Sequence, residues 1–223
     1  MNRAVAPPPA IIAVGRNYAD HAREMGGSIE AHPTVFMKNP AATIGDGEAI
    51  VIPTICREHG PQVDFEGELA VVVGEGCVDV PESRALDFVA GYAVANDVSA
   101  RWWQKQGSGG QFCRGKSFDT FCPIGAMRSA AEVGDPSGRL LTTRLNGELM
   151  QSSSTSLMLF SVPRIVAELS RGTTLLPGTI VLTGTPAGVG AGRTPPRFLR
   201  DGDVVEIEIE GIGSLRNPVR EAD

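Results

Sequence analysis

The segment 62–74, QVDFEGELAVVVG, constrains the fold more than any other part of the chain. Its residues 69–73 are all apolar, which predicts a strand buried on both faces. Directly before this run, Asp64, Glu66 and Glu68 alternate and therefore share one face of an extended chain. Carboxylates at the entrance of a buried strand repel one another and lose hydration, so the pattern calls for positive charge between them.

A second alternating series of carboxylates, in VVEIEIEG, has different neighbours. Glu206, Glu208 and Glu210 are separated by apolar residues only, which is typical of a strand with one face in water. We therefore predict that these three glutamates form a solvent face and bind no ligand.

Asp97 is a third candidate ligand beside Glu66 and Glu68, because it follows the apolar run 93–95 and so also lies at the edge of a core. The chain has only three histidines, and its four cysteines form no C-x-x-C pair, which disfavours zinc. An all-oxygen site suits Mg²⁺, Mn²⁺ or Ca²⁺. Spacing alone leaves a structural ion-pair network as an equal alternative.

His21 and Glu24 lie three positions apart on a predicted helix over 17–25, capped by Asn17, and so share one face of it. A histidine held by a carboxylate is a common general base. An exposed ion pair on a short helix fits the spacing equally well, and the residues alone favour that simpler interpretation.

The segment 110–117, GQFCRGKS, matches the P-loop pattern G-x-x-x-x-G-K-[ST]. A phosphate-binding loop needs a buried strand before it and a helix after it. Here a polar, glycine-rich stretch precedes the motif and an extended segment follows it, so we expect no nucleotide site. The chain has no G-x-S-x-G motif and no cysteine in an electropositive setting, which leaves metal-assisted attack by water as the simplest reaction class.

Predicted strands outnumber predicted helices and do not alternate regularly with them, which favours a mainly β, α+β fold. Turns are frequent, because 27 glycines and 16 prolines occur among 223 residues. We expect a loose tail over 1–10 and one domain over 11–223. Strands are predicted at 11–15, 34–38, 65–74, 91–97, 179–184 and 204–210, helices at 82–89 and 162–171, and a hairpin turn at Asn146-Gly147.

Composition excludes several classes of function. The formal charge of −6 and the lack of a basic stripe argue against a nucleic-acid-binding protein. No apolar run reaches 18 residues, so we expect no membrane span. Scattered cysteines and an N-terminus unlike a signal peptide favour the cytoplasm.

Six segments together resemble the fumarylacetoacetate hydrolase family, in particular its short, acylpyruvase-like members without an additional N-terminal domain. These segments are GRNYADHAREM (15–25), DFEGELAVVVG (64–74), GYAVANDVSAR (91–101), RGKSFDTFCPIG (114–125), LNGELMQ (145–151) and VLTGTPAGVG (181–190). The resemblance extends over nearly the whole chain. It implies a mixed β-roll, or flattened barrel, with a few short helices, and a homodimer.

The resemblance also implies roles for individual residues. The metal ligands for Mg²⁺ or Mn²⁺ would be Glu66, Glu68 and Asp97. The catalytic residues would be the water-activating dyad His21 and Glu24, the active-site lysine Lys116 and the orienting glutamine Gln104. The groups that hold substrate carboxylates and oxygens would be Arg16, Arg101 and Thr185. The fourth carboxylate ligand of two-domain members has no counterpart here.

The implied activity is hydrolysis of a C–C bond in a 2,4-diketo acid such as an acylpyruvate, with water activated by His21 and Glu24 and negative charge countered by Lys116. The same enolate chemistry serves isomerases of hydroxymuconate-type dienoates and decarboxylases of 2-keto diacids such as oxaloacetate. A non-enzymatic binding protein for small dicarboxylates is the remaining alternative. We expect specificity to depend on the loops 26–34, 107–113 and 190–199.

Overall fold

Fifteen strands and eleven short helices follow one another in the computed structural model, which describes residues 7–28 and 30–223. The strands are β1 (Ile11–Gly15), β2 (Thr34–Lys38), β3 (Thr43–Ile44), β4 (Ile50–Ile52), β5 (Val63–Asp64), β6 (Gly67–Val73), β7 (Val89–Asn96), β8 (Ser99–Ala100), β9 (Cys122–Pro123), β10 (Arg128–Ser129), β11 (Leu140–Leu145), β12 (Glu148–Ser154), β13 (Ile180–Leu182), β14 (Val204–Ile209) and β15 (Gly213–Glu221). The α-helices are α1 (Ala19–Glu24), α2 (Arg101–Gln104), α3 (Phe112–Gly115), α4 (Ala130–Val133) and α5 (Val162–Ser170). The 3₁₀ helices are Pro40–Ala42, Thr54–Cys56, Glu82–Phe88, Gln106–Ser108, Thr155–Leu157 and Gly190–Gly192.

The larger sheet has six strands in the order β10-β7-β6-β13-β1-β2. β1 and β13 are parallel, and the other neighbours are antiparallel. In the antiparallel pair β6 and β7, Gly67 lies opposite Asn96, so the start of one strand meets the end of the other. This register places Glu66 next to Asp97, whose backbone N–H donates to the Glu66 carbonyl at 2.8 Å.

The second sheet has five strands in the order β12-β11-β14-β15-β4, and its only parallel pair is β15 with β4. Leu141 and Ile207 of this sheet belong to the same buried cluster as Leu69 and Val94 of the larger sheet, so the two sheets share one core. Each sheet has two edge strands and is open. The mainly β architecture is therefore as expected, but within the described residues the roll does not close into a barrel.

Local sequence signals account for several elements. Asn146 and Gly147 adopt φ values of 53° and 82°, and both positions of a two-residue type I′ turn require such positive values. α5 begins after Ser161, whose side chain accepts a hydrogen bond from the backbone N–H of Arg164. Glu206 is half-buried, and Glu208 and Glu210 are exposed, which confirms the predicted solvent face.

Two expectations about the fold were wrong. Asn17 does not cap α1; its side chain is buried and hydrogen-bonds the backbone of Phe160 and Thr183, which ties the helix entrance to β13. The longest strand, β15, was missed because charged residues and Pro218 interrupt its apolar pattern.

The prediction of a loose tail over 1–10 concerns mainly residues 1–6, which lie outside the described residues. Among the described residues, none of the helices has the length and apolar character that crossing a membrane requires.

Candidate metal centre and catalytic pocket

Three buried carboxylates converge at the end of the larger sheet. Glu66, Glu68 and Asp97 each offer an oxygen atom within 4.8 Å of the other two. None of these residues is more than 4% exposed. Carboxylates that are this close together and this deeply buried need compensating positive charge from neighbouring cations.

The strand pair β6 and β7 positions the triad. The side-chain oxygen of Asn96 accepts from the backbone N–H of Glu66 at 3.0 Å, and Gln151 accepts from that of Gly67 at 3.0 Å. Glu68 lies one residue inside β6, and its carboxylate accepts from the backbone N–H of Gly184 at 2.7 Å. Hydrogen bonds from Asn96, Gln151 and Gly184 thus hold the chain around Glu66 and Glu68.

Asp64, which alternates with Glu66 and Glu68 in the sequence, does not join the triad. β5 ends at Asp64 and β6 begins only at Gly67, so the extended run is interrupted between them. Its carboxylate instead binds the guanidinium of Arg101 at 2.7 Å and accepts from the backbone N–H groups of Gly190 and Ala191. The prediction that Asp64, Glu66 and Glu68 share one strand face is therefore wrong for Asp64.

Lys116 lies between two members of the triad. Its Nζ is 2.7 Å from Oε2 of Glu66, 2.5 Å from Oδ2 of Asp97 and 2.7 Å from Oγ of Ser99. Burial alone would lower the pKa of Lys116, but Asp97 and Glu66 outweigh it and raise this pKa above its ordinary value. The ammonium group therefore stays protonated.

Glu66 also contacts Arg101, whose Nη1 lies 2.7 Å from Oε1. Burial alone would raise the pKa of Glu66, but Lys116 and Arg101 together hold it well below its ordinary value. Burial alone would lower the pKa of Arg101, but Asp64 and Glu66 outweigh it and raise this pKa above its ordinary value. Glu66 is consequently a permanent anion.

Lys38, the last residue of β2, is a charged residue of the site that the sequence patterns did not predict. Its side chain is 0% exposed, and Nζ donates to Oδ1 of Asp97 at 2.5 Å. A signal was present in the sequence, because alternation along TVFMK puts Lys38 on the same face as the buried Phe36. A lysine on an apolar strand face needs a buried partner, and Asp97 is that partner.

Buried carboxylates outnumber buried cations around the site. The carboxylates belong to Asp64, Glu66, Glu68 and Asp97, and the cations to Lys38, Arg101 and Lys116. Glu68 is the carboxylate without an ion pair among the described residues. Burial, and then repulsion from Asp97 and Glu66, raises its pKa well above the ordinary value. A divalent cation would supply the missing charge, so these oxygens fit Mg²⁺ or Mn²⁺.

The triad opens into a cavity of about 500 Å³. Nine of the ten predicted site residues line it: Arg16, His21, Glu66, Glu68, Asp97, Arg101, Gln104, Lys116 and Thr185. The apolar side chains of Val14, Met25, Phe36 and Phe112 form much of the remaining wall. The structure therefore brings the predicted residues together around one pocket.

The tenth residue, Glu24, lies behind His21. Its Oε2 is 3.2 Å from Nδ1 of His21, and its Oε1 accepts from the backbone N–H of Gly188 at 2.9 Å. His21 is only 6% exposed, so the pair is not the exposed ion pair that its spacing favoured. With Nδ1 directed to Glu24, Nε2 is the atom left for the pocket.

Two of the residues assigned to substrate binding have other partners. Arg101 binds Asp64 and Glu66, and its Nη1 also donates to Oε1 of Gln104 at 3.0 Å. The hydroxyl of Thr185 donates to the Gly67 carbonyl at 2.9 Å. Both line the pocket, but their polar atoms are already bonded to residues of the segment 64–67.

Arg16 differs from Arg101. It follows β1 in a left-handed conformation, with φ of 57°, and lines the pocket. Among the described residues its guanidinium forms no ion pair with a carboxylate. Among the described residues, Arg16 and the exposed Lys105, which also lines the pocket, are therefore the pocket cations that remain available for an anionic group.

The P-loop-like segment has a different structure from a phosphate-binding loop. α2 and the 3₁₀ helix Gln106–Ser108 precede the motif. In the described chain no strand lies between α2 and the motif. Its lysine, Lys116, points at Glu66 and Asp97, two anions. Of the three loops expected to set specificity, the described residues of 107–113 contribute Gly110 and Phe112 to the pocket lining, and those of 26–34 and 190–199 contribute none.

Comparisons with known proteins give matches over nearly the whole chain. A profile of the family described as Fumarylacetoacetate (FAA) hydrolase C-terminal matches residues 10–220. Oxaloacetate tautomerase YisK of Bacillus subtilis is 45% identical over 216 residues, which cover 96% of this chain and 70% of that protein.

Solved structures show the same likeness. The 5-carboxymethyl-2-hydroxymuconate delta-isomerase from Mycobacterium smegmatis is 44% identical with a TM-score of 0.85, over 99% of this chain and 82% of that chain. A fumarylacetoacetate hydrolase from Exiguobacterium antarcticum is also 44% identical with a TM-score of 0.85, over 97% of this chain and 76% of that chain.

Proposed function

The chain is an enzyme of the fumarylacetoacetate hydrolase C-terminal family, and from this premise we propose that it interconverts the keto and enol forms of a 2-keto diacid. The reaction moves one proton from the carbon next to the keto group to the keto oxygen. Bond rearrangement in a 2-hydroxy-dienoate is the same chemistry on a longer substrate. Tautomerases and isomerases among the relatives favour this reaction class over hydrolysis of an acylpyruvate.

The observation that carries the proposal is the buried triad at the base of a pocket that also contains a carboxylate-held histidine. We propose Glu66, Glu68 and Asp97 as ligands of Mg²⁺ or Mn²⁺. When bound, the cation would act as a Lewis acid that stabilises negative charge on an enolate oxygen. It would also change the formal charge of the seven buried groups from minus one to plus one, which favours an anionic substrate.

His21 is the proposed proton carrier. Its Nε2 accepts the proton from the carbon next to the keto group, while Glu24 at Nδ1 stabilises the resulting imidazolium. Nε2 then returns the proton to the enolate oxygen. Lys116 remains protonated beside the triad and counters the charge that develops there.

Arg16 is the proposed partner of the second carboxylate of the substrate. It lines the pocket and is free of ion pairs among the described residues. The side chains of Phe36 and Phe112, which meet edge to face with ring centroids 5.5 Å apart, form an apolar wall of the same pocket. A short diacid with one polar end at the triad and another at Arg16 matches this lining.

The experiment that tests the proposal is turnover of the enol form of oxaloacetate, of a hydroxymuconate-type dienoate and of an acylpyruvate, each with Mg²⁺ or Mn²⁺ and with EDTA. We expect metal-dependent ketonisation, loss of metal binding in Glu66→Ala, and loss of turnover with retained metal binding in His21→Ala. Metal-independent turnover, or full activity of Glu66→Ala, would refute the metal assignment.

Hydrolysis of a C–C bond is the second candidate, because the dyad of His21 and Glu24 could equally remove a proton from water. The same assay distinguishes the two reactions, since only hydrolysis releases a carboxylic acid from the acylpyruvate. Acylpyruvate turnover much faster than enol ketonisation would favour this candidate. The homodimer and the single domain over 11–223 remain predictions, for which light scattering and limited proteolysis are the measurements.

A further inference from the structure

We propose that Gly192 is a positioning residue for the dyad of His21 and Glu24, because its missing side chain leaves the space that the Glu24 carboxylate occupies. Gly192 ends the 3₁₀ helix Gly190–Gly192 and does not itself line the pocket. The inference rests on the proposed function for its catalytic meaning, whereas its structural content concerns only where Glu24 lies.

The side chain of Glu24 makes two hydrogen bonds and lies close to Gly192. Oε2 meets Nδ1 of His21 at 3.2 Å, and Oε1 accepts from the backbone N–H of Gly188 at 2.9 Å. On the remaining side, a Cβ atom added to Gly192 would overlap Cγ, Cδ and Oε1 of Glu24, well inside the 3.0 Å that real Cβ contacts respect. A methyl group at residue 192 would therefore displace the carboxylate from both of its hydrogen bonds.

Gly192 differs from the other glycines of the loop 184–192. Gly184 and Gly188 have left-handed φ values of 95° and 106°, and a Cβ on Gly190 would collide with the Arg197 carbonyl. Gly192 has no left-handed φ, and the three atoms nearest to an added Cβ all belong to the Glu24 side chain. Alanine at this position is thus compatible with the backbone, and its main effect should fall on Glu24.

The same loop is fixed to the metal side of the pocket. The backbone N–H of Gly184 donates to Glu68, and those of Gly190 and Ala191 donate to Asp64, which holds Arg101. The loop therefore contacts a proposed metal ligand at one end and Glu24 at the other.

The test is a double-mutant cycle of Gly192→Ala and Glu24→Ala, with Gly76→Ala as the matched control. Gly76 is exposed, has no left-handed φ, and an added Cβ there meets nothing closer than 3.4 Å. We expect G192A to lower the midpoint of urea unfolding in the wild-type background and to leave it unchanged in the E24A background, because removal of Glu24 removes the overlap. Equal effects in both backgrounds would overturn the proposal.

A spectroscopic readout reports on the dyad without turnover. Long-range ¹⁵N–¹H spectra of the neutral imidazole, assigned with His21→Ala, distinguish the Nδ1–H from the Nε2–H tautomer. We expect His21 to be Nδ1–H in the wild type and in G76A, and to shift towards Nε2–H in G192A as in E24A. A G192A protein that keeps the wild-type tautomer, or that does not fold, would overturn the proposal.

Metal affinity and turnover complete the test. G192A should bind Mn²⁺ within about twofold of the wild type, because the overlap falls on Glu24, which is not a proposed metal ligand, and a large loss would contradict a role confined to the dyad. Its kcat should fall to that of E24A. If the wild type shows no turnover on any proposed substrate, the proposed function fails, while the unfolding cycle and the tautomer still decide the role of Gly192.

Discussion

Lys38 and Asp97 form a buried ion pair, 2.5 Å from Nζ to Oδ1, across 59 positions of the sequence. The other oxygen of Asp97 binds Lys116, so the carboxylate lies between two lysines. Only Lys116 lines the pocket, whereas Lys38 approaches from the far side of Asp97. Lys38 therefore holds Asp97 from within the core, whereas Lys116 holds it from the pocket.

Lys38→Met should destabilise the metal-free protein. Asp97 would keep one cation instead of two, and loss of a partner from a buried ion pair costs on the order of 3 kcal/mol of unfolding free energy. Urea unfolding in EDTA measures the change. Lys105→Met is the control, because Lys105 is exposed and forms no ion pair in the described chain. An unchanged unfolding free energy in K38M would show that Lys116 alone suffices for Asp97.

Glu68→Gln should separate stability from metal binding. Burial and the neighbouring carboxylates raise the pKa of Glu68, so the neutral amide should leave the metal-free protein at least as stable as the wild type. Metal affinity should fall by more than the roughly 10- to 100-fold that loss of an outer-shell partner costs. Urea unfolding in EDTA and calorimetric titration with Mn²⁺ measure the two effects. Wild-type affinity in E68Q would exclude Glu68 as a ligand.

Metal binding should release a proton from Glu68. Because its pKa is raised above the ordinary 4.5, the group is protonated over a range in which a free carboxyl would be charged. Protonated Glu68 contributes stability to the metal-free protein that is complete below pH 4.5 and lost as the pH rises through the raised pKa. Metal affinity has the opposite pH dependence from this stability, because it weakens as the pH falls through the raised pKa of Glu68.

Calorimetric titrations in buffers of different ionisation enthalpy count the protons released per metal ion. A second measurement compares the pH dependence of unfolding without metal in the wild type and in E68Q, and only the wild type should lose stability through this group. If metal binding released no proton at any pH above 4.5, the result would contradict a raised pKa of Glu68.

Arg16→Met should discriminate between diacid and monoacid substrates. If Arg16 holds the distal carboxylate, its loss removes a charge-assisted hydrogen bond of about 1.5–3 kcal/mol, or roughly a 10- to 100-fold rise in KM for a 2-keto diacid. KM for a 2-keto monoacid should not change. Arg23→Met is the control, because Arg23 pairs with Asp20 on the exposed face of α1. Equal effects on both substrates would argue for a structural role of Arg16.

Local patterns predicted the elements whose signals are short in range. The bounds of β1 and β2 coincide with the apolar runs 11–15 and 34–38, and the Asn146-Gly147 turn joins β11 to β12 as expected. β15 escaped detection because its pairing with β14 and β4, not its own pattern, keeps it extended. The cap of α1 was misassigned because Asn17 finds its partners in Phe160 and Thr183, far away in the chain.

The sequence by itself determined that Glu66, Glu68 and Asp97 lie at the ends of buried strands, and that His21 and Glu24 share a helix face, because both follow from strand and helix periodicity. Tertiary structure alone decided which charges meet. Asp64 pairs with Arg101 and not with the triad, Lys38 pairs with Asp97, and Gly192 lies against Glu24. The physical reason is that a buried charge pairs with the opposite charge or N–H group that the packed strands place next to it. Local sequence patterns do not specify distances between residues that are far apart in the chain.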